Sequence, residues 1–125
     1  MNTSPIGYTK LSIVIPAYNS AGWITQCLQH LSSALQNAQV LDAEVIVVDD
    51  GSTDGTGLEA QQFPGLAIQV ISQENQGRFL ARENGLANCT GSHVLFLDTR
   101  VFLAETSLTF VLPYLKDSDT SLWTA

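Results

Sequence analysis

The 125-residue chain is the size of one domain, and its 45% apolar content supports a packed core rather than disorder. A formal net charge of −7 excludes non-specific nucleic-acid binding and polybasic attachment to a membrane surface. No apolar run reaches the roughly 20 residues of a membrane span, the first ten residues lack the pattern of a secretion signal, and Cys27 and Cys89 make no disulfide framework, so a reducing cytoplasm is the expected compartment.

Residues 1–10 are polar around Pro5 and Gly7 and read as a loose arm, with residues 11–125 as one region. The β-branched run from Leu11 to Pro16 predicts a first strand that the proline ends. Trp23, Ile24, Cys27, Leu28, Leu31, Ala34 and Leu35 recur at three and four and predict a helix over 23–35. Ser20 is the better placed of its two candidate caps, Ser20 and Thr25. Glu44 to Asp49 is a second strand whose continuous apolar centre implies burial on both faces. A loop over 50–55 leads into a short helix reaching about Phe63, and Pro64-Gly65 turns the chain. A third strand is predicted over 67–72, a helix over 78–88 with Phe79, Leu80, Leu86 and Ala87 as its apolar positions, a fourth strand over 93–97, and a last helix over 105–115. Asp117 to Ala125 is polar and carries no predicted element.

This alternation predicts an α/β fold, a parallel sheet with helices on both faces. Ligands of such sheets bind beyond the carboxyl ends of the strands. Three places therefore matter. Pro16 and Tyr18 follow the first strand; Tyr18 offers a flat face and a hydroxyl, or is a buried turn aromatic. Asp49 and Asp50 follow the second. Neighbours on a strand point to opposite sides, so one carboxylate can accept from a base N–H or a ribose hydroxyl while the other braces the loop or approaches a metal. The plainer alternative is that Asp50 and Ser52 make an Asx-type turn and that Asp54, with Thr53, caps the next helix. Asp98 and Arg100 follow the fourth strand and suit a polyanionic ligand, or form a surface ion pair. Phosphate-loop and dinucleotide glycine motifs and Cys-x-x-Cys are absent, and His30 and His93 are isolated. A phosphoacceptor receiver domain has a similar size and alternation. It would place the acidic pair after the first strand and a lysine after the fifth, and here the only lysines are Lys10 and Lys116.

Several segments, taken together, resemble the family 2 glycosyltransferases: Ile13-Val14-Ile15-Pro16-Ala17-Tyr18-Asn19, the run from Glu44 through Asp49-Asp50-Gly51-Ser52-Thr53-Asp54-Gly55 to Thr56, Glu74-Asn75-Gln76-Gly77, Ala81-Arg82-Glu83-Asn84-Gly85-Leu86, and Gly91 to Asp98. The resemblance covers Leu11 to Asp98. It implies the Rossmann-like donor-binding half of a GT-A fold, a nucleotide-sugar donor, most often a UDP-sugar, and inverting transfer to an acceptor hydroxyl. It places Pro16 and Tyr18 beside the nucleobase and Asp49 and Asp50 at uracil and ribose. Arg82 would lie near the diphosphate or brace the site. Asp98 would be the first acid of the Asp-x-Asp motif that binds Mg²⁺ or Mn²⁺ with the nucleotide-sugar.

The third position of that motif is Arg100, which cannot ligate a cation. It either pairs directly with phosphate, replacing the metal, or marks lost activity. After Asp98 only Glu105, Asp117 and Asp119 offer carboxylates, and none fits the catalytic base of the family. The region is therefore expected to be truncated at its C-terminus, with the acceptor unknown and any membrane attachment left to parts outside this chain. The alternative function is a non-catalytic nucleotide-sugar-binding or interaction module on the same fold.

Overall fold

The computed structural model describes residues 10–115 and the backbone of residues 123–124. In chain order its elements are β1 (Leu11–Ala17), α1 (Trp23–Asn37), β2 (Glu44–Asp50), α2 (Thr56–Gln61), β3 (Ala67–Gln73), α3 (Arg78–Ala87), β4 (His93–Phe96), α4 (Ser107–Val111), a 3₁₀ turn (Leu112–Tyr114) and β5 (Trp123–Thr124). Every strand pair is parallel, in the order β3-β2-β1-β4-β5. No helix among the described residues is long and apolar enough to cross a membrane.

Alternation along the central strands sorts their side chains onto two buried faces. Ile13, Ile15, Val45 and Val47 face Ile24, Leu28, Leu31 and Leu35 of α1. Val14, Ile46 and Val48, with Val94 and Phe96, face Ala81 of α3. Both faces carry a helix, as the α/β reading requires. Each such aliphatic side chain contributes about 1.5–3 kcal/mol by leaving water. Gly85 sets the approach of α3, because a Cβ there would run into the side chains of Val14 and Val48.

Four details depart from the sequence expectations. Pro16 does not end β1, which continues to Ala17. The carbonyl of Val14 accepts from Leu97, so alternate residues face β4, and the nitrogen of Pro16 lies on that side beyond the last paired residue. No ladder bond is lost there. The side chain of Ser20 does not cap α1, whose boundary is Gly22; instead the Ser20 carbonyl accepts from Trp23 and Ile24. The helix expected over 105–115 is one short α-turn followed by a 3₁₀ turn, because Pro113 has no N–H to continue the ladder. Finally, β5 falls in the stretch read as having no element, while Asp117 and Asp119 and the arm over 1–9 lie outside the described residues. Lys10 is tied down rather than loose: its carbonyl accepts from Ser92 and its ammonium donates to Thr90.

Candidate functional site

Strand order fixes where a ligand can sit. From β1 the chain winds to β2 and β3, then returns to pair β4 on the other side of β1. The loops after β1 and β4 therefore diverge, and the switch point between them opens at the carboxyl edge. A cleft of about 460 Å³ lies there, lined by Pro16, Ala17, Tyr18 and Ser20 after β1, Asp50 at the end of β2, Asn75, Gly77 and Arg78 before and in α3, and Asp98, Thr99 and Arg100 after β4.

Hydrogen bonds hold the walls in place. The loops after β1 and β2 are zipped together: Asn19 N–H donates to Ser52 Oγ (2.9 Å), Thr53 N–H to Asn19 Oδ1 (2.8 Å), Ser20 N–H to Thr56 Oγ1 (2.8 Å) and Ala21 N–H to Asp54 Oδ2 (3.1 Å). Buried Ser20 and Thr99 share a hydroxyl contact of 3.0 Å that joins the β1 and β4 loops. Beneath them the Cys27 thiol donates to the Asp98 carbonyl at 3.6 Å. Burial first, and the nearby Asp98 charge second, push that thiol up to about 12, so Cys27 is an inert packing group.

The adjacent carboxylates at the end of β2 do have separate jobs. Asp49 Oδ1 accepts from Ser52 N–H (3.0 Å), so Asp49, not Asp50, makes the Asx-type turn, on the α2 side close to Gly57. Asp50 is 4% exposed. It accepts from Gln73 Nε2 (2.9 Å), Gln76 N–H (2.8 Å), Gly77 N–H (3.0 Å) and Asn75 Nδ2 (3.4 Å). Burial pushes the Asp50 carboxyl up, but the donors from Gln73, Gln76 and Gly77 outweigh it and hold it below the ordinary value. Gly51, at φ 79°, lets the loop close, since a Cβ would lie 2.7 Å from the Asn75 nitrogen. On the opposite wall, Asp98 Oδ1 accepts from Arg100 N–H (2.9 Å) and Oδ2 lies 3.5 Å from the Arg78 guanidinium. The Arg100 guanidinium lies over the Trp23 ring, its carbon 5.3 Å from the ring centre.

With this geometry established, similarity to known proteins is informative. The family model described as "Glycosyl transferase family 2" matches residues 12–123. The chain belongs to glycosyl transferase family 2. It is 34% identical over 92 residues to glycosyltransferase GlyA of Streptococcus pneumoniae, covering 72% of this chain and 13% of GlyA. It is 40% identical over 92 residues to glycosyltransferase AglE of Haloferax volcanii, covering 70% of this chain and 29% of AglE. Among solved structures, S. aureus TarS in complex with UDP-GlcNAc superposes with a TM-score of 0.71 at 31% identity, covering 81% of this chain and 29% of that one. The mannosyltransferase PcManGT from Pyrobaculum calidifontis, in complex with GDP-Man and Mn²⁺, gives a TM-score of 0.76 at 27% identity over 88% of this chain and 32% of that one. The fold is that of GT-A glycosyltransferases, and the chain spans about a third or less of these relatives.

Of the residues that the family resemblance singles out, Pro16, Tyr18, Asp50, Asp98 and Arg100 line the cleft. Asp49 and Arg82 do not. Arg82 lies on the α3 face turned to the sheet, its guanidinium 5.9 Å from the centre of the Phe96 ring. Six lining residues were not assigned to the site from the sequence: Ala17, Asn75 and Gly77, which stand within the family-like segments, and Ser20, Thr99 and Arg78. Arg78 is the most consequential; its only signal in the sequence is a cation directly after Gly77. Glu105, one of the carboxylates weighed as a base, is exposed and outside the lining.

The donor set is a poor match to a divalent cation. A divalent cation held with a nucleotide needs one or two free carboxylates beside the substrate phosphates. Both carboxylates in the lining already accept from protein donors, and one of them faces a guanidinium that repels a second cation. Among the described residues no three His, Cys, Asp or Glu side chains cluster to hold a metal ion.

Proposed function

We propose that this chain is the donor-binding half of an inverting glycosyltransferase acting in the cytoplasm, and that its cleft takes a UDP-sugar. The observation that carries this reading is the cleft itself, at the switch point of a family 2 fold and walled by an aromatic, two carboxylates and two guanidiniums. TarS binding UDP-GlcNAc and PcManGT binding GDP-Man support a nucleotide-sugar as the ligand class. In this reading Pro16 and Tyr18 flank the base, and Asp50 holds the Asn75–Gly77 loop against the nucleoside. Asp49 and Arg82 brace the site from outside it. The diphosphate lies along the Asp98–Arg100 wall.

Transfer breaks the bond between the anomeric carbon and the diphosphate oxygen, and the electron pair leaves with the nucleoside diphosphate. The acceptor hydroxyl bonds to that carbon from the opposite face and gives its proton to a carboxylate base. The base and the acceptor surface come, in this proposal, from the part of the domain that the longer relatives possess beyond the matched region.

Titration calorimetry with uridine, UDP, GDP, dTDP and UDP-sugars tests the donor assignment. UDP is expected to bind most tightly, with Tyr18→Ala weakening it. Preference for GDP would move the donor class, and a cleft that binds none of these ligands would overturn the reading.

A further inference from the structure

We propose that Arg78 and Arg100 form a diphosphate site that works without a divalent cation. The inference rests on the nucleotide-sugar reading of the cleft and adds the chemistry of its charged wall. The two guanidiniums reach the same cavity from different elements, Arg78 from the first residue of α3 and Arg100 from the loop after β4. Asp98 touches both residues: its Oδ1 accepts from the backbone N–H of Arg100 and its Oδ2 lies 3.5 Å from the Arg78 guanidinium. The carboxylate that the metal motif would spend on a cation is spent on a turn N–H and one guanidinium.

The other lining carboxylate, Asp50, is filled by Gln73, Asn75, Gln76 and Gly77. A cation entering the cleft would have to strip donors from Asp50 or sit at Asp98 against the Arg78 guanidinium that repels it. A diphosphate would not. The Arg78 side chain is 66% exposed and touches Asp98 through one terminal nitrogen, so other N–H groups of its fork remain for phosphate oxygens. The Arg100 guanidinium lies over the Trp23 ring, 5.3 Å from its centre, and Trp23 in turn stacks on Phe102 with ring centres 6.2 Å apart. Among the described residues no acceptor is bonded to the Arg100 guanidinium N–H groups, so its fork remains for bidentate phosphate contact. The lining's two carboxylates and two guanidiniums balance, so the incoming diphosphate meets no excess negative charge.

The test titrates UDP and uridine into the chain by calorimetry, first with EDTA and then with Mn²⁺. UDP is expected to bind more tightly than uridine in EDTA, with its affinity unchanged within about 2-fold by Mn²⁺. Arg78→Gln and Arg100→Gln are each expected to weaken UDP by about 10-fold or more, the loss of a charge-assisted hydrogen bond, while leaving uridine binding intact. The proposal is overturned if UDP binding needs Mn²⁺, if UDP gains nothing over uridine in EDTA, or if either glutamine variant binds UDP as the parent does. In all three cases uridine binding would leave the nucleotide reading standing. Failure of both uridine and UDP to bind removes the nucleotide reading and this proposal with it.

Discussion

The two ends of the sheet use their polar side chains in opposite ways. At the amino edge, Glu44 Oε2 accepts from Ser12 Oγ (2.6 Å), Thr90 N–H (2.6 Å) and Thr90 Oγ1 (3.0 Å), and Lys10 stands 3.8 Å from Oε1. Gly91 N–H donates to the same Ser12 hydroxyl. This knot closes the α3–β4 connection onto β1 and β2. At the carboxyl edge Asp50 is equally filled, but the groups beyond it, Tyr18, Arg78 and Arg100, stand exposed around an open cleft. A polar cluster that satisfies itself is architecture. One whose donors outnumber its own acceptors is where a ligand's oxygens can be accommodated.

The largest expected effect comes from emptying the acceptor that holds the cleft floor. Asp50→Ala leaves two backbone N–H groups and the Gln73 amide without their partner in a buried site, for a loss of about 3 kcal/mol in stability, the sum of such penalties. Urea unfolding reads the stability and calorimetry reads UDP affinity, which should fall with it. Next, Gly85→Val forces α3 off Val14 and Val48, at about 1–3 kcal/mol for overpacking. Glu44→Gln at the other edge should cost about 1–2 kcal/mol and leave UDP affinity unchanged. If Glu44→Gln weakened UDP as strongly as Asp50→Ala, the division between the two edges would collapse.

That division was only partly legible in the sequence. Apolar runs such as Val45 to Val48 announce strands buried on both faces, so the parallel sheet could be read directly. The split roles of Asp49 and Asp50 also follow from strand alternation. Which carboxylate does which job does not. Asp50 is decided by N–H groups of Gln76 and Gly77, and a backbone donor leaves no mark on residue type. Arg78 was missed for a related reason: its partner Asp98 lies across the switch point, on another strand. Pro113, by contrast, was legible, and a proline inside a predicted helix should have shortened it.

Acid provides a finer probe of both edges at once. Burial raises the Glu44 carboxyl, but donors from Ser12 and Thr90 and the Lys10 charge outweigh it, so Glu44, like Asp50, sits below its ordinary value. A carboxyl lowered in the folded state stabilises fully above its unfolded value, about pH 4, and that contribution is lost as pH falls through the folded value. Stability should therefore decline from about pH 5 downward. Asp50→Asn and Glu44→Gln should each flatten the urea midpoint between pH 6 and pH 3. A midpoint that rises on acidification would contradict both assignments.

The smallest expected effect isolates the ring beneath Arg100. Trp23 is 42% exposed, so removing it takes little from the core. Besides its stacking on Phe102, what it loses is the Arg100 guanidinium, a cation–π contact of about 0.5–1 kcal/mol at an exposed position. If that contact serves to aim Arg100 at a diphosphate, Trp23→Ala should weaken UDP by about 2- to 5-fold. Trp23→Phe, which keeps a ring, should recover most of the loss. Uridine, which has no phosphate for Arg100 to meet, should bind both variants as it binds the parent. Equal UDP affinity for Trp23→Ala and Trp23→Phe would show that the ring does not position Arg100, and that the arginine finds the cleft from the β4 loop alone.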